Sequence, residues 1–360
     1  MRLVLVTNDY PPRPGGIQQY LGNLVDAFPG DVLVLAPADG PAATGRGESI
    51  VRRDKRTWMF PSRRIARWVD EAVATHRADA VLFGAPLPLP LVAKRLGGRV
   101  PVGVVCHGAE ISIPAVFPVA RSVLRRALRE ADVRFAVSHH TQRRVGALTG
   151  MDVRYLGGGV DIASFAPRPG PGVAPEGGPF VLGCVSRFVP RKGQDRIILA
   201  ARELRRGGHE VEVLLVGKGR KERSLRSLAE RSGVPVRFEI DVAWDRLPAL
   251  YGEMDVFCMP CRSRWGGLEV EGLGLVFLEA AATGLPVIAG LSGGAPETVE
   301  PGVSGYLVGD ADGIVSAVEH LIATPSLAEQ MGAAGRARAE REFTWATVAD
   351  RLVEGFRAVR

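Results

Sequence analysis

The chain has 360 residues, of which 46% are hydrophobic and 24% charged, a balance that excludes a disordered or fibrous protein and a length that calls for two domains rather than one core. Its formal net charge of +7 favours an anionic partner such as a nucleotide, a phospholipid head group or nucleic acid, without choosing among them. Cys106, Cys184, Cys258 and Cys261 lie in or beside apolar runs with a single C-x2-C pair, the pattern of buried free thiols rather than of a metal or redox site.

The first strand signal is Leu3–Thr7, a short apolar run of the kind found in parallel sheets. Its opening apolar stretch is too short for a signal peptide. The uncharged run from Ala80 to Ala93 is broken by Pro86, Pro88 and Pro90 and is too short to span a bilayer. A soluble cytoplasmic protein is therefore expected. The loop Asn8–Gly16 leads into a periodic segment, Ile17–Phe28. Strand, glycine turn and helix start make a cradle for phosphate, although G-x-G-x-x-G is absent.

After a second strand, Val32–Ala36, comes a basic and aromatic stretch from Arg52 to Trp68. Ile65, Trp68, Val69, Ala72 and Val73 recur at helical spacing, so one face packs on the sheet. The arginine-rich face is either solvated or laid against anionic lipid, with Trp58, Met59 and Phe60 dipping into the interface. Ala80–Phe83 and Val100–Cys106 read as buried strands, and His107 follows the second of them, where open parallel sheets place ligands. The helical run Pro118–Arg129 either extends the electropositive face or is an amphipathic core helix. Phe135–Ser138 reads as a strand, and His139-His140 lacks a third metal ligand.

The first domain is assigned to residues 1–165 and a Pro/Gly-rich linker to 166–178. The second domain, 179–343, opens with the strand Phe180–Val185 and a loop carrying Arg187 and Lys192 ahead of a helix from Gln194. Two cations on a strand-to-helix loop can bracket a diphosphate. Val211–Gly217 is the next strand. From Met259 to Glu297 the chain places Glu271 and Glu279 around a glycine-rich turn, followed by the buried-strand pattern Pro286–Gly290. On a continuous helix that spacing means about 12 Å of rise, more than two carboxyls flanking one glycosidic bond allow. The two acids read as separate binding groups for two sets of hydroxyls, as in a sugar joined to a ribose through phosphates. Gly272 and Gly274 permit close backbone approach, and the Leu275, Val276 and Phe277 amides lie where a helix begins. Asp310-Ala311-Asp312 reads as a turn and N-cap, so no cofactor and no essential divalent ion are expected. The terminal helix is expected over 344–360, packed back onto the first domain.

The stretch from Pro260 to Val299 closely resembles the donor-site signature of glycosyltransferase family 4. That resemblance covers nearly the whole chain and is strongest in the second domain. It implies an α/β chain of the GT-B fold, two doubly wound Rossmann-like domains facing an interdomain cleft. It also implies a retaining hexosyltransferase, and within the family the signature is similar to that of actinobacterial enzymes moving mannose from GDP-mannose to a phosphatidylinositol monomannoside. In the family pattern His107 contacts the transferred sugar, with Glu110 in support, and Glu271 with the Gly272, Leu273 and Gly274 amides holds its hydroxyls. Arg187, Lys192, Gly15, Gly16 and the Leu275 and Val276 amides take the diphosphate, and Glu279 the ribose. The implied partners are a nucleotide-sugar donor and a lipid acceptor on the inner face of the plasma membrane; nucleic acid is not one. Ile240 and Asp241 stand where relatives usually show a glycine, which leaves the base of the donor open. A UDP-sugar donor, a soluble acceptor, a GT-B sugar-nucleotide epimerase and a silent nucleotide-sugar binder stay open as alternatives.

Overall fold

The computed structural model describes residues 1–38, 50–97, 100–167 and 178–359. It divides into two compact units, Met1–Gly159 with Trp345–Arg360, and Val160–Thr344. Most of the linker assigned from the sequence falls outside the described residues.

In the first unit, β1 (Leu3–Val6), β2 (Val32–Ala36), β3 (Ile50–Arg53), β4 (Ala80–Phe83), β5 (Val102–Cys106), β6 (Val133–Ala136) and β7 (Arg154–Tyr155) form one sheet in the order β3-β2-β1-β4-β5-β6-β7. Every pairing in it is parallel. The central strands are buried residue by residue, which is why they read as unbroken apolar runs rather than alternating ones. Helices α1 (Gly16–Asp26), α2 (Arg63–His76), α3 (Ala109–Ser112), α4 (Pro118–Arg129) and α5 (His139–Thr149) connect them. Ser62 and Ser138 cap α2 and α5 by accepting from Ile65 N and Thr141 N.

One reading of the basic stretch is overturned here. Met59 does not reach an interface; it is 0% exposed and belongs to the core with Ile65, Val69 and Phe83. Its backbone is pinned by Asn8, whose Nδ2 donates to Met59 O at 3.0 Å while Met59 N donates to Asn8 Oδ1 at 2.8 Å. Arg64 is also engaged, with both terminal nitrogens on the Asp54 carboxylate at 2.9 and 2.5 Å. The hydrogen bond from Arg64 is the main reason that the Asp54 carboxyl sits below its usual range. Only Trp58 and Phe60 of that aromatic group remain exposed.

In the second unit, β8 (Phe180–Val185), β9 (Val211–Val216), β10 (Val236–Glu239), β11 (Val256–Met259), β12 (Val287–Gly290) and β13 (Gly305–Val308) pair in the order β10-β9-β8-β11-β12-β13, again all parallel. Its helices are α6 (Gln194–Arg206), α7 (Glu222–Ser232), α8 (Leu247–Tyr251), α9 (Leu275–Ala282), α10 (Ala311–Ala323) and α11 (Pro325–Glu342). Tyr251, Phe257 and Phe277 pack in a row through the interior, tilted at the first step and edge-to-face at the second, with ring centroids 5.7 Å apart at each. The last helix, α12 (Trp345–Arg357), returns to the first unit, where Phe356 meets Phe135 of β6 edge-on at 5.6 Å. The four cysteines are buried and free. Among the described residues no helix is long and apolar enough to cross a membrane.

Both sheets reverse strand order, between β1 and β4 in the first unit and between β8 and β11 in the second. In open α/β sheets, ligands bind beyond the strand ends at such a switch point. The loops leaving those strands carry Gly15-Gly16, Arg187, Lys192 and Glu271.

Candidate active site

In the second unit the site begins at the end of β8. The loop from Ser186 ends in a single helical turn, Pro190–Lys192, and Gly193. Gly193 has φ +79, and a Cβ there would lie 2.4 Å from Pro260 O, so glycine alone allows this loop to close against the end of β11. Gln194 Nε2 braces it from α6, donating to Ser186 Oγ at 2.8 Å and Arg187 O at 3.0 Å. Arg262 clamps it from the other side, with Nε on Pro190 O and Nη2 on the Asp195 carboxylate.

That bracing turns Lys192 inward, where it is buried. Its Nζ lies 2.8 Å from Glu271 Oε2 and 3.5 Å from Met259 Sδ. Arg191 Nη1 donates to the same Glu271 oxygen, and Arg191 Nε lies 3.8 Å from Glu269, itself paired with Arg264. Glu271 is buried; burial alone would push its carboxyl up, but the Lys192 ammonium and the Arg191 guanidinium together hold it below the usual range. It is therefore an ionised carboxylate between two cations. Of the two cations read from the sequence, the structure brings Lys192 to Glu271. Arg187 is exposed and forms none of these ion pairs; the second cation on Glu271 is Arg191, which the sequence did not single out.

Glu271 lies in the turn before α9, not on the helix. Its backbone is held by the loop after β12, where Glu271 N donates to Ser292 Oγ at 3.2 Å and Gly294 N donates to Glu271 O at 3.0 Å. Gly293 has φ +58, and a Cβ there would sit 1.8 Å from Glu271 O. Gly293→Ala is expected to displace Glu271 and lower kcat/KM about 100-fold, with a cooperative thermal melt retained; steady-state kinetics beside a melting curve check this.

Gly274 starts α9 at φ +89, and no side chain caps that helix. The Leu275 and Val276 amides are thus placed for an anion. One turn further in, Glu279 is buried and accepts from Tyr251 Oη at 2.7 Å. Burial raises its carboxyl to about 7, against the opposing pull of the Tyr251 hydrogen bond and of Lys192.

The first unit assembles its residues at the ends of β1, β4 and β5. Gly15 precedes α1, which also has no side-chain cap. Gln18 of α1 donates to Asp9 Oδ1 at 2.8 Å. His107 Nε2 lies 2.9 Å from Gly84 O; a carbonyl only accepts, so Nε2 carries a proton. The ring is buried and meets Tyr20 edge-on at 5.2 Å. Glu110 accepts from the amides of His107 and Gly108, the supporting position expected of it. Asp310 caps α10 by accepting from Gly313 N at 3.0 Å, as its position before a helix predicts. Asp241, at the position where a glycine is usual, adopts φ +53 and pairs with Lys218.

Two doubly wound units, with a buried carboxylate–lysine–arginine cluster and an uncapped helix at the switch point of the second, define an α/β protein with a site suited to a phosphorylated ligand. Comparison with known proteins agrees. Residues 172–338 match the model of the group 1 glycosyl transferases, and residues 14–164 that of glycosyltransferase family 4. The GDP-mannose-dependent alpha-(1-6)-phosphatidylinositol monomannoside mannosyltransferase of Mycobacterium tuberculosis is 41% identical over 99% of this chain and 98% of its own. The Mycolicibacterium smegmatis protein of the same name is 41% identical over 98% and 97%. Among solved structures, Anabaena HepE in complex with UDP aligns at a TM-score of 0.82 and 22% identity over 99% of this chain and 100% of that one. Sucrose-phosphate synthase from Thermosynechococcus elongatus aligns at 0.81 and 20%, over 99% and 98%. This chain belongs to the glycosyltransferase family that these models describe, with the GT-B fold.

Proposed function

We propose that the chain transfers mannose from GDP-mannose to a phosphatidylinositol monomannoside, forming an α-1,6 link with retention of configuration. The observation that carries the donor half is the ionised Glu271 held between Lys192 and Arg191 beside the uncapped start of α9. The choice of mannose and of acceptor is supported by the names of the relatives that align along nearly the full chain.

In this reading the diphosphate lies at the start of α9 with Lys192, Arg187 and Arg191, where cations stabilise charge building on the leaving nucleotide without a proton transfer. No divalent ion is required, because the lysine, the arginines and the helix amides meet that charge. Glu271 and the Gly272, Leu273 and Gly274 amides hold mannose hydroxyls, and Glu279 the ribose. Gly15, Gly16 and His107 keep the roles that the family pattern gives them. The acceptor hydroxyl attacks on the face that the diphosphate leaves, its proton passing to a departing phosphate oxygen; the protein supplies orientation and charge. The acceptor places the enzyme at the inner face of the plasma membrane.

The test is to incubate the purified protein with GDP-mannose or with UDP-sugars, each with and without phosphatidylinositol monomannoside, and to follow nucleotide release and product mass. A lipid heavier by one hexose, formed only from GDP-mannose, is the expected result. Transfer from a UDP-sugar alone would overturn the donor, and nucleotide-sugar turnover without any acceptor would favour an epimerase.

A further inference from the structure

The segment preceding and forming α4 leaves five apolar side chains exposed within eleven residues. Phe117 is 61% exposed and Val119 78%, with Ile113, Val116 and Val123 also exposed. The other side of α4, Leu124, Ala127 and Leu128, is fully buried, so the helix already has its core face and these residues form a second apolar face. Contiguous exposed apolar surface of this kind marks an interaction site.

The same helix carries arginines. Arg121, Arg125 and Arg129 follow one another at i, i+4 spacing and make one row along it, while Val119 and Val123 make a second row. The arginine row, with Arg126, Val116 and Glu130, lines an open groove of about 770 Å³, and there Arg126 pairs with Glu130 at 3.5 Å, leaving the row itself as the groove's net positive charge. Arginine side chains lining an open groove offer phosphate oxygens charge-assisted hydrogen bonds.

We infer that Ile113–Arg129 is a membrane-docking element. It takes the phosphate of an anionic phospholipid head group in the arginine groove, while Phe117, Val119 and their apolar neighbours enter the bilayer interface. An apolar row beside a cationic row is the pattern of a helix lying in the plane of an anionic bilayer. A protein partner would suit the apolar row but gives no reason for the row Arg121, Arg125 and Arg129 beside it. This deepens the proposed function and rests on that reading for the lipid nature of the acceptor. It also moves the docking surface away from the Arg52–Trp68 stretch, where Met59 is in the core and Arg64 is held by Asp54.

The experiment is co-sedimentation with phosphatidylcholine vesicles, with and without phosphatidylglycerol. The expected result is binding only to the anionic vesicles, weakening as salt rises. Phe117→Ser with Val119→Ser, and Arg125→Gln with Arg129→Gln, should each weaken binding about tenfold or more. Trp58→Ser with Phe60→Ser should leave it unchanged. GDP affinity, read on every variant, reports whether the fold is intact; should a double variant lose it, Val119→Ser alone decides at the most exposed position. Failure of the parent to bind anionic vesicles, or loss of binding only in the Trp58/Phe60 variant, overturns the inference. Vesicle binding without mannosylation of the lipid would sink the acceptor reading and leave the docking element standing. Mannosylation without vesicle binding would do the reverse.

Discussion

Glu271→Gln is expected to lower kcat for mannosyl transfer by about 100- to 1,000-fold while GDP binds as tightly as before or more tightly. The reason lies in what shares the two cations. With no donor present, Lys192 and Arg191 both face the Glu271 carboxylate, so an arriving diphosphate competes with a buried anion for the same positive charge. Glutamine keeps the shape and an acceptor oxygen but gives up the charge, and the cations are left to the diphosphate. The free protein should then be less stable, because breaking a buried ion pair from one side leaves uncompensated charge, by about 3–5 kcal/mol for a single buried pair. GDP should recover much of that loss by mass action. Melting curves with and without GDP therefore separate the two readings of this glutamate. A merely structural Glu271 would give a variant with lower stability and weaker GDP binding together; a sugar-holding Glu271 gives lower stability, a larger GDP-induced rise in Tm, and a loss confined to turnover.

How much of this was legible in the sequence depends on the range of the interactions. Most of the central strands were, because strands covered on two faces show as apolar runs and need no partner to be recognised; the part-exposed edge strands β3 and β7 gave no such run. The Asp310 cap was legible because its whole chemistry lies within three residues. Met59 was misread because the residue that draws it inward, Asn8, stands 51 positions earlier, and a basic, aromatic run looks the same on a surface as over a core. Lys192 and Arg191 are neighbours of the same charge, and only the turn Pro190–Lys192 and the brace from Arg262 decide how each faces Glu271. Ser292, Gly293 and Gly294 stood in plain view after the β12 run, yet their contact with Glu271 joins the loops after two neighbouring strands, about twenty residues apart in sequence. Tyr251 gave no local signal; it meets Glu279 from 28 positions away.

Affinity for GDP-mannose is expected to rise about tenfold between pH 6 and pH 8, and Glu279 is the reason. Its carboxyl, raised to about 7 by burial, is roughly one-tenth ionised at the lower pH and nine-tenths at the higher, and only the carboxylate accepts from both ribose hydroxyls. GDP-mannose is the right probe because its diphosphate is esterified at both ends, whereas the terminal phosphate of GDP titrates in the same window. Glu279→Gln should bind more weakly at pH 8 and show a flat profile. The hydrogen bond from Tyr251 favours the carboxylate, so Tyr251→Phe should push the titration to higher pH without removing it, a shift that a purely structural tyrosine would not produce. Stability must move in the opposite sense. In the unfolded chain Glu279 ionises in the ordinary carboxylate range, so between there and about pH 7 the folded state binds the extra proton and unfolding releases it. That contribution is complete at acid pH and disappears as pH rises through 7, by a few kcal/mol. Donor-free protein should therefore lose Tm across this window, Glu279→Gln should not, and saturating GDP-mannose should flatten the fall. Parallel pH profiles of parent and Glu279→Gln in both measurements would remove Glu279 from the ribose site.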